Sequence, residues 1–393
     1  MRLSFKSALI VLTLIAVVGD AMLVPFYPRF FAEAFARHNA HWVGLYLAAI
    51  CAVVMLAFPV WARLARGRSL LNILIATQLV AAALSLSCYW VTSFGLFWLA
   101  SLLMLAFKAS YLLIYPQIMA LEQQQHHGRT IGLLSVTVHF GAIAGALLGG
   151  GMLQWLNARD IFVLMALGDV LQTALCLWLK RRQPPLQAAP SPAKGQGSSW
   201  RLLVRLCSVM VLFYFSIYLI RPFFTRYWEG RSGIDDTLVS GLVFALPAGV
   251  ALLALWRSYR HKTASDPWQL LGPLSFLVIG VLLQSALSPL WVLIGRLLFG
   301  WGLYHATVRL DQLLFRLSTP AHYATDFAKV SFSQNLGVLM ASWLAGYLNS
   351  AFVPECPFFV ATVSLLACAL VFTLFLKPAT SAGNKPTLSR SDA

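Results

Sequence analysis

The sequence predicts an all-α membrane protein, with twelve transmembrane helices in two pseudo-symmetric six-helix bundles. Three observations carry this expectation. Hydrophobic residues make up 59% of the chain and charged ones only 11%, against about a quarter charged in ordinary soluble domains. Apolar runs of about 20 residues, the length a helix needs to cross a bilayer, recur from end to end. A short phrase is written twice, as PFYPRFF at 25–31 and as PFFTRYW at 222–228.

The apolar runs fall at 7–31, 42–62, 70–90, 94–118, 131–156, 160–179, 203–225, 237–256, 269–288, 290–312, 327–349 and 357–376. Each must be helical, because a lone segment in lipid can satisfy its backbone polar groups only within itself. The first run follows Arg2 and Lys6 and precedes Ala32-Glu33-Ala34, a loose match to a cleaved signal peptide. Asp20 interrupts it, and its closing phrase returns at 222, so it is expected to stay as a span. The longest connection, 181–202, contains QPPLQAAPSPAKGQGSS, a composition of flexible linkers. It divides the chain into an N-terminal bundle, 1–180, and a C-terminal bundle, 203–377. The polar tail, 378–393, is expected to be disordered and cytoplasmic.

Lys and Arg alternate between the two sets of connections. One set includes Arg63, Arg66, Arg68, Lys180, Arg181, Arg182, Arg257 and Arg260; the other holds Arg29, Arg37, Arg159, Arg226 and Arg231. The richer set faces the cytoplasm, which places both termini there. The formal net charge of +16 would suit nucleic acid, but charges confined to gaps between apolar runs are explained by membrane topology. The six cysteines form no CxxC pair and read as small buried hydrophobes rather than disulfides or metal ligands.

The repeated phrase recurs at an offset of 197, and a second match lies at 196: GAIAGALLGG at 141–150 against GVLMASWLAG at 337–346. Ser135 meets Ser331 and His139 meets Asn335 at the same offset. The halves therefore read as copies of one six-helix unit, the layout of parallel repeats about an axis along the membrane normal.

This layout resembles the major facilitator superfamily. The loop after span two, VWARLARGRS, matches the family's pattern at Gly67 and Arg68, while Leu64 and Ala65 stand where the family has Asp and Arg. Gly141, Gly145, Gly149 and Gly150 match the fifth-span motif of the family's exporters, with Ala146 in place of its proline. The alternative is generic close packing, since small residues four apart let helix backbones approach. Arg296, Gly300 and Gly302 have a fourth-span exporter spacing, but in span ten. The resemblance implies a transporter whose spans one, four, seven and ten line a central cavity.

Ionisable residues at mid-span cost about 2.5–3.5 kcal/mol on insertion scales, so they are functional candidates. Asp20 and Lys108 read either as a proton-coupling site or as a mutually neutralising structural pair. Lys108, Arg221, Arg296, His305, Tyr111 and Tyr304 are the candidate substrate-binding residues. Asp169, in span six, is expected to pair locally or face a neighbouring helix rather than touch substrate. Four cationic or titratable groups against Asp20 favour an amphipathic organic anion, such as a carboxylate-rich metabolite or siderophore. Pro25, Phe26, Tyr27, Pro222, Phe223 and Phe224 are expected to form a paired outer gate. With no phosphate-binding loop, no cofactor and no metal set expected, the reading is a proton-coupled secondary transporter with export favoured. Uptake of a similar solute and multidrug efflux are the alternatives. An enzyme or receptor would need a nucleophile or metal constellation, for which only His126-His127 offers a start. The chain has no N-x-S/T sequon, which points to a bacterial inner membrane; a monomer in the bilayer is expected, with a small-molecule substrate and no nucleic acid.

Overall fold

The computed structural model describes residues 5–65, 67–122, 127–182, 200–261, 266, 268–318 and 323–376. Most of the 181–202 connection and all of the 378–393 tail lie outside the described residues. Helix α1 (Phe5–Ala21) and α2 (Tyr27–Phe35) are followed by α3 (Ala40–Leu64), α4 (Leu70–Trp90), α5 (Phe94–Lys108), α6 (Ile114–Leu121), α7 (His127–Trp155) and α8 (Asp160–Arg182). Beyond the connection come α9 (Trp200–Ile220), α10 (Phe224–Ser232), α11 (Thr237–His261), α12 (Leu271–Gln284), α13 (Pro289–Leu317), α14 (Tyr323–Ala351) and α15 (Cys356–Val371).

The chain is an all-α membrane protein. Among the described residues, eight helical stretches are long and apolar enough to cross a bilayer. Helices α1 and α12, at 17 and 14 residues, fall short in length. Helices α13 and α14 have 29 residues each but carry charged and polar side chains along them.

Three of the expected continuous spans are broken. The 7–31 run is two helices, because Pro25 lacks the N–H that would continue α1 and its ring meets the preceding turn. Pro28 then occupies the first turn of α2, where a missing N–H does no harm. The seventh run breaks at the equivalent place: a 3₁₀ turn, Arg221–Phe223, joins α9 to α10. The two copies of the phrase thus encode the same feature, a helix break followed by a short helix. The fourth run tightens into a 3₁₀ turn at Ala109–Leu113, directly after Lys108; Pro116 lies one turn on and withholds a donor from that segment.

Helices α1 to α8 pack mainly among themselves, through α1 on α7 and α8 and α4 on α5 and α8; α9 to α15 do likewise, through α9 on α14 and α15 and α13 on α11 and α12. The two groups meet along two seams, α3 with α14 and α7 with α11. Glycines make both seams close. A Cβ on Gly44 would lie 2.6 Å from the Gly346 Cα, and one on Gly241 would lie 2.9 Å from the Ala146 carbonyl oxygen.

The glycine run of α7 seats α1. A Cβ on Gly141 would meet Val17 at 2.8 Å, one on Gly145 the Val18 carbonyl oxygen at 2.7 Å, and one on Gly149 would overlap the Met22 carbonyl. In the other half, a Cβ on Gly337 of α14 would overlap the Val211 carbonyl of α9. Gly150 faces Thr237 of α11, as Gly346 faces Ala40 and Gly44 of α3. Equivalent glycines do equivalent work in the two halves, which is the repeat seen in three dimensions.

Candidate functional site

Lys108 ends α5 within the protein and is 4% exposed. Its Nζ lies 3.0 Å from Asp169 Oδ1 of α8, and both side chains are almost fully buried. Ser85 of α4 donates to the other carboxylate oxygen at 3.2 Å. The ion pair of Lys108 is therefore with Asp169, and the expected pairing with Asp20 alone is corrected. The reason is positional: α4 packs against both α5 and α8, and its Ser85 helps fix the Asp169 carboxylate, while Asp20 approaches from α1. Asp20 remains close. A Cβ on the adjacent Gly19 would sit 3.8 Å from Lys108 Nζ, and Asp20 lies in the electrostatic field of Lys108 with the Tyr111 side chain as a polar neighbour. One base thus pairs with one acid and stands near a second, the three groups coming from three helices.

Facing this cluster is a stripe on α9. Tyr214, Tyr218 and Arg221 recur four and three residues apart, on one helix face. The Tyr214 and Tyr218 rings stack with centroids 6.2 Å apart, and the Arg221 guanidinium lies 4.8 Å from the Tyr218 ring and 5.6 Å from Phe244. Tyr111 and Tyr218 are electrostatic neighbours across the two halves, as are Tyr115 and Asp311 of α13, and His139 and Arg221. Asp20, Tyr111, Tyr115, His139, Tyr214, Tyr218, Arg221 and Asp311 are all half-buried. Groups of this polarity along facing helices, neither sealed in the core nor exposed, lie between the halves, where the resemblance implies a central internal space. Tyr115 also stacks on Phe327 of α14, centroids 4.9 Å apart, a contact that joins the halves at one end of that space.

Other expected site residues lie elsewhere. Arg296 is 3% exposed. It donates to the carbonyls of Val243 and Phe244, and its guanidinium lies 4.0 Å from the Phe224 ring. That arrangement ties α13 to α11 and α10. Tyr304 packs with Ala251 and Ala254 of α11, and the His305 ring meets those of Trp301 and Tyr304 at steep angles, with centroids 4.7 and 5.0 Å away. The structure does not bring these three together with Asp20. Gly67 adopts a left-handed backbone, φ +74°, in the turn between α3 and α4. With Arg68 it borders a lateral cavity of about 510 Å³ lined by Trp61, Leu64, Ile73 and Phe107.

The two proline phrases meet. Thr225 Oγ1 donates to the Pro25 carbonyl at 2.6 Å, and Pro25 and Pro222 are both buried. The Phe26 ring reaches the α7–α11 seam, 3.2 Å from a Cβ on Gly241. Phe223 lies at the other seam, beside Ala40 of α3 and Asn349 of α14. Tyr27 and Phe224 instead turn into their own halves: Tyr27 against Tyr46 at 5.1 Å, Phe224 against Arg296. Gln154 and Thr237 add a hydrogen bond of 2.5 Å across the α7–α11 seam at this end.

Sequence reasoning missed Asp311, Tyr214 and Tyr218. The four-then-three spacing of the α9 stripe was a signal that could have found the tyrosines. Asp311 sat too near the expected end of span ten to read as intramembrane.

Two halves built on one plan, joined along two seams, with ionisable groups facing an internal space, define a transporter of the secondary type. The sequence profile of the Major Facilitator Superfamily matches residues 9–283, and the chain belongs to that superfamily. The multi-drug resistance efflux pump PmrA homolog of Lactococcus lactis is 23% identical over 314 residues, 75% of this chain and 76% of that one. The multi-drug resistance efflux pump PmrA of Streptococcus pneumoniae is 24% identical over 332 residues, 78% and 80% of the two chains. Among solved structures, the human organic anion transporter MFSD10 superposes with a TM-score of 0.76 at 16% identity, covering 93% of this chain and 98% of that one. A bacterial homolog of the human lysosomal transporter Spinster gives 0.72 at 14% identity, over 94% and 95%. At these identities the superpositions speak for the fold alone.

Proposed function

We propose that the protein exports a small amphipathic organic solute bearing an acidic group across the bacterial inner membrane, in exchange for protons. The observation that carries the coupling is the Asp20–Lys108–Asp169 cluster. With all three groups ionised, it holds one uncompensated negative charge inside the membrane, where ionised groups are costly. A proton on Asp20 makes the cluster neutral, so proton binding and release at Asp20 can be coupled to which side the internal space faces. Lys108 precedes the 3₁₀ turn of its span, and such turns inside a helix often mark hinges.

The acidic group of the substrate is assigned to Arg221. Expectation from the sequence rested the anion preference on several cations. Lys108 is taken by Asp169 and Arg296 by carbonyls and rings, which leaves Arg221, on its tyrosine stripe, to hold the anion. Export is favoured because the curated relatives of similar length are named as efflux pumps. The arrangement in the membrane follows the Lys and Arg distribution: twelve spans in two bundles of six, residues 1–180 and 203–377, a monomer with both termini and the connecting linker in the cytoplasm. Pro25, Pro222, Phe26 and Phe223 close the outer end across the two seams.

Everted inner-membrane vesicles containing the protein test this reading with fluorescein as the amphipathic anion. Energising the vesicles should drive dye into the lumen, and an uncoupler should release it. Accumulation that ignores the uncoupler overturns proton coupling. Accumulation confined to right-side-out vesicles overturns export.

A further inference from the structure

Asp311 is an acid outside the Asp20–Lys108–Asp169 cluster. It lies on α13, half-buried, and among the described residues it has no ion-pair partner. The cations nearest in sequence on α13 and along α14 are committed elsewhere. Arg309 donates to the His305 carbonyl at 3.2 Å, and Lys329 pairs with Asp326 at 3.0 Å. Asp311 is instead the electrostatic neighbour of Tyr115 from α6 and Tyr214 from α9. An ionisable side chain within a spanning helix is a functional candidate by default, and one without a counter-ion is neutralised either by a proton or by a charge from outside the protein.

Arg221 presents the complementary case. It stacks on Tyr218 and Phe244 and has no ion-pair partner among the described residues. Arg221 and Asp311 do not neutralise each other. Seven residues along α9 and into the 3₁₀ turn after it, about 10 Å of rise, separate Arg221 from Tyr214, which lies in the field of both charges. The stacked rings of Tyr214 and Tyr218 run between them, and the Tyr115–Phe327 stack stands beside Asp311. Aromatic faces in this position supply apolar contact along the whole distance.

From these positions we infer that the internal space binds an elongated aromatic zwitterion, its anionic group at Arg221, its cationic group at Asp311 and its ring system along Tyr214 and Tyr218. The inference deepens the transport reading and rests on it for the identity of the site. It predicts discrimination by charge pattern rather than by hydrophobicity. A ligand lacking one charge leaves either Arg221 or Asp311 desolvated without a partner, which is the larger penalty in such sites.

A matched dye series tests it on the purified full-length protein in detergent, by fluorescence anisotropy, with no transport required. Rhodamine B is the zwitterion, its ethyl ester the cation, and fluorescein the anion. Wild type should bind rhodamine B about tenfold more tightly than either relative, an effect of about 1.4 kcal/mol. Asp311→Asn should weaken rhodamine B and the ester but not fluorescein. Arg221→Gln should weaken rhodamine B and fluorescein but not the ester, and Arg221→Lys should restore part of the loss. Should either neutral variant fail to elute as folded protein, Asp311→Glu and Arg221→Lys are read in its place: each keeps its charge and should keep the wild-type order of the three dyes. Equal weakening of all three dyes by either neutral variant overturns the inference, as does a charge-keeping variant that loses the order. Failure of wild type to bind rhodamine B overturns it as well, while leaving the export reading to the vesicle assay.

Discussion

Lys108→Met should destabilise the protein more than Asp169→Asn, although both break the same ion pair. The structure supplies the reason. Lys108 serves two acids, so its loss strands both Asp169 and Asp20. Loss of the Asp169 charge leaves Lys108 with Asp20, and Ser85 can still donate to the asparagine oxygen. Removing one partner of a buried pair costs about 3–5 kcal/mol. Asp169→Asn should fall at the low end of that range and Lys108→Met at the high end. At about 2 °C per kcal/mol for a chain of this size, the unfolding midpoints should drop by about 6 °C and about 10 °C. The Lys108→Met/Asp169→Asn double variant leaves no charge stranded between α5 and α8, and removing both partners of a buried pair costs far less than removing one. Its midpoint should recover towards wild type, with a coupling energy of at least about 2 kcal/mol in the mutant cycle. Tryptophan fluorescence during heating in detergent, at fixed protein and detergent concentration, gives all four midpoints. Additive single effects, or an Asp169→Asn protein as stable as wild type, would refute the shared-base arrangement.

Gly149→Ala should abolish folded protein, because the added methyl overlaps the Met22 carbonyl, whereas Gly249→Ala, with nothing within 4 Å of the new Cβ, should be neutral or stabilise by up to about 1 kcal/mol; size-exclusion yield and midpoint separate them, and equal yields would remove the close α1–α7 packing. Arg296→Met should lower stability without altering the order of dye affinities, and Arg296→Lys should not rescue it, since an ammonium cannot reproduce the stacked fork; altered dye selectivity would return Arg296 to the binding site. A cysteine pair at Pro25 and Thr225 should cross-link in everted vesicles and block dye accumulation until reduced; cross-linking without inhibition would discard the gate. Reporter fusions at Gly195 and the C-terminus should both read cytoplasmic, and a periplasmic signal from either would revise the count of spans.

Legibility from the sequence followed the range of the forces involved. Helix-length apolar runs and the offset of the two halves are local or periodic features, and they located the helices and the glycine faces of α7 and α14, though not that α1 and α9 would be seated on them. Proline at 25 and 222 lies at the breaks, yet both spans were expected to run on unbroken, with no separate short helix after the proline. Partner choice was illegible. That Lys108 reaches Asp169 rather than Asp20 alone depends on how α5 and α8 sit around α4, which no spacing along one chain encodes. Arg296 shows the same limit: an arginine in a cavity-lining span reads as a ligand group, yet its helix face decides that it meets carbonyls and rings instead. Tyr27 and Phe224 were expected to close a path and pack into their own halves, because aromatic content does not reveal direction.

Asp20→Asn tests the central claim most directly, in proteoliposomes that compare two modes of the same protein. The amide keeps the size and polarity of the side chain beside Tyr111 but cannot take up and release a proton. Movement of fluorescein driven by a pH gradient should be lost, while exchange of dye across the membrane at equal pH should continue at near the wild-type rate. Gradient-driven movement at the wild-type level in Asp20→Asn would contradict the account.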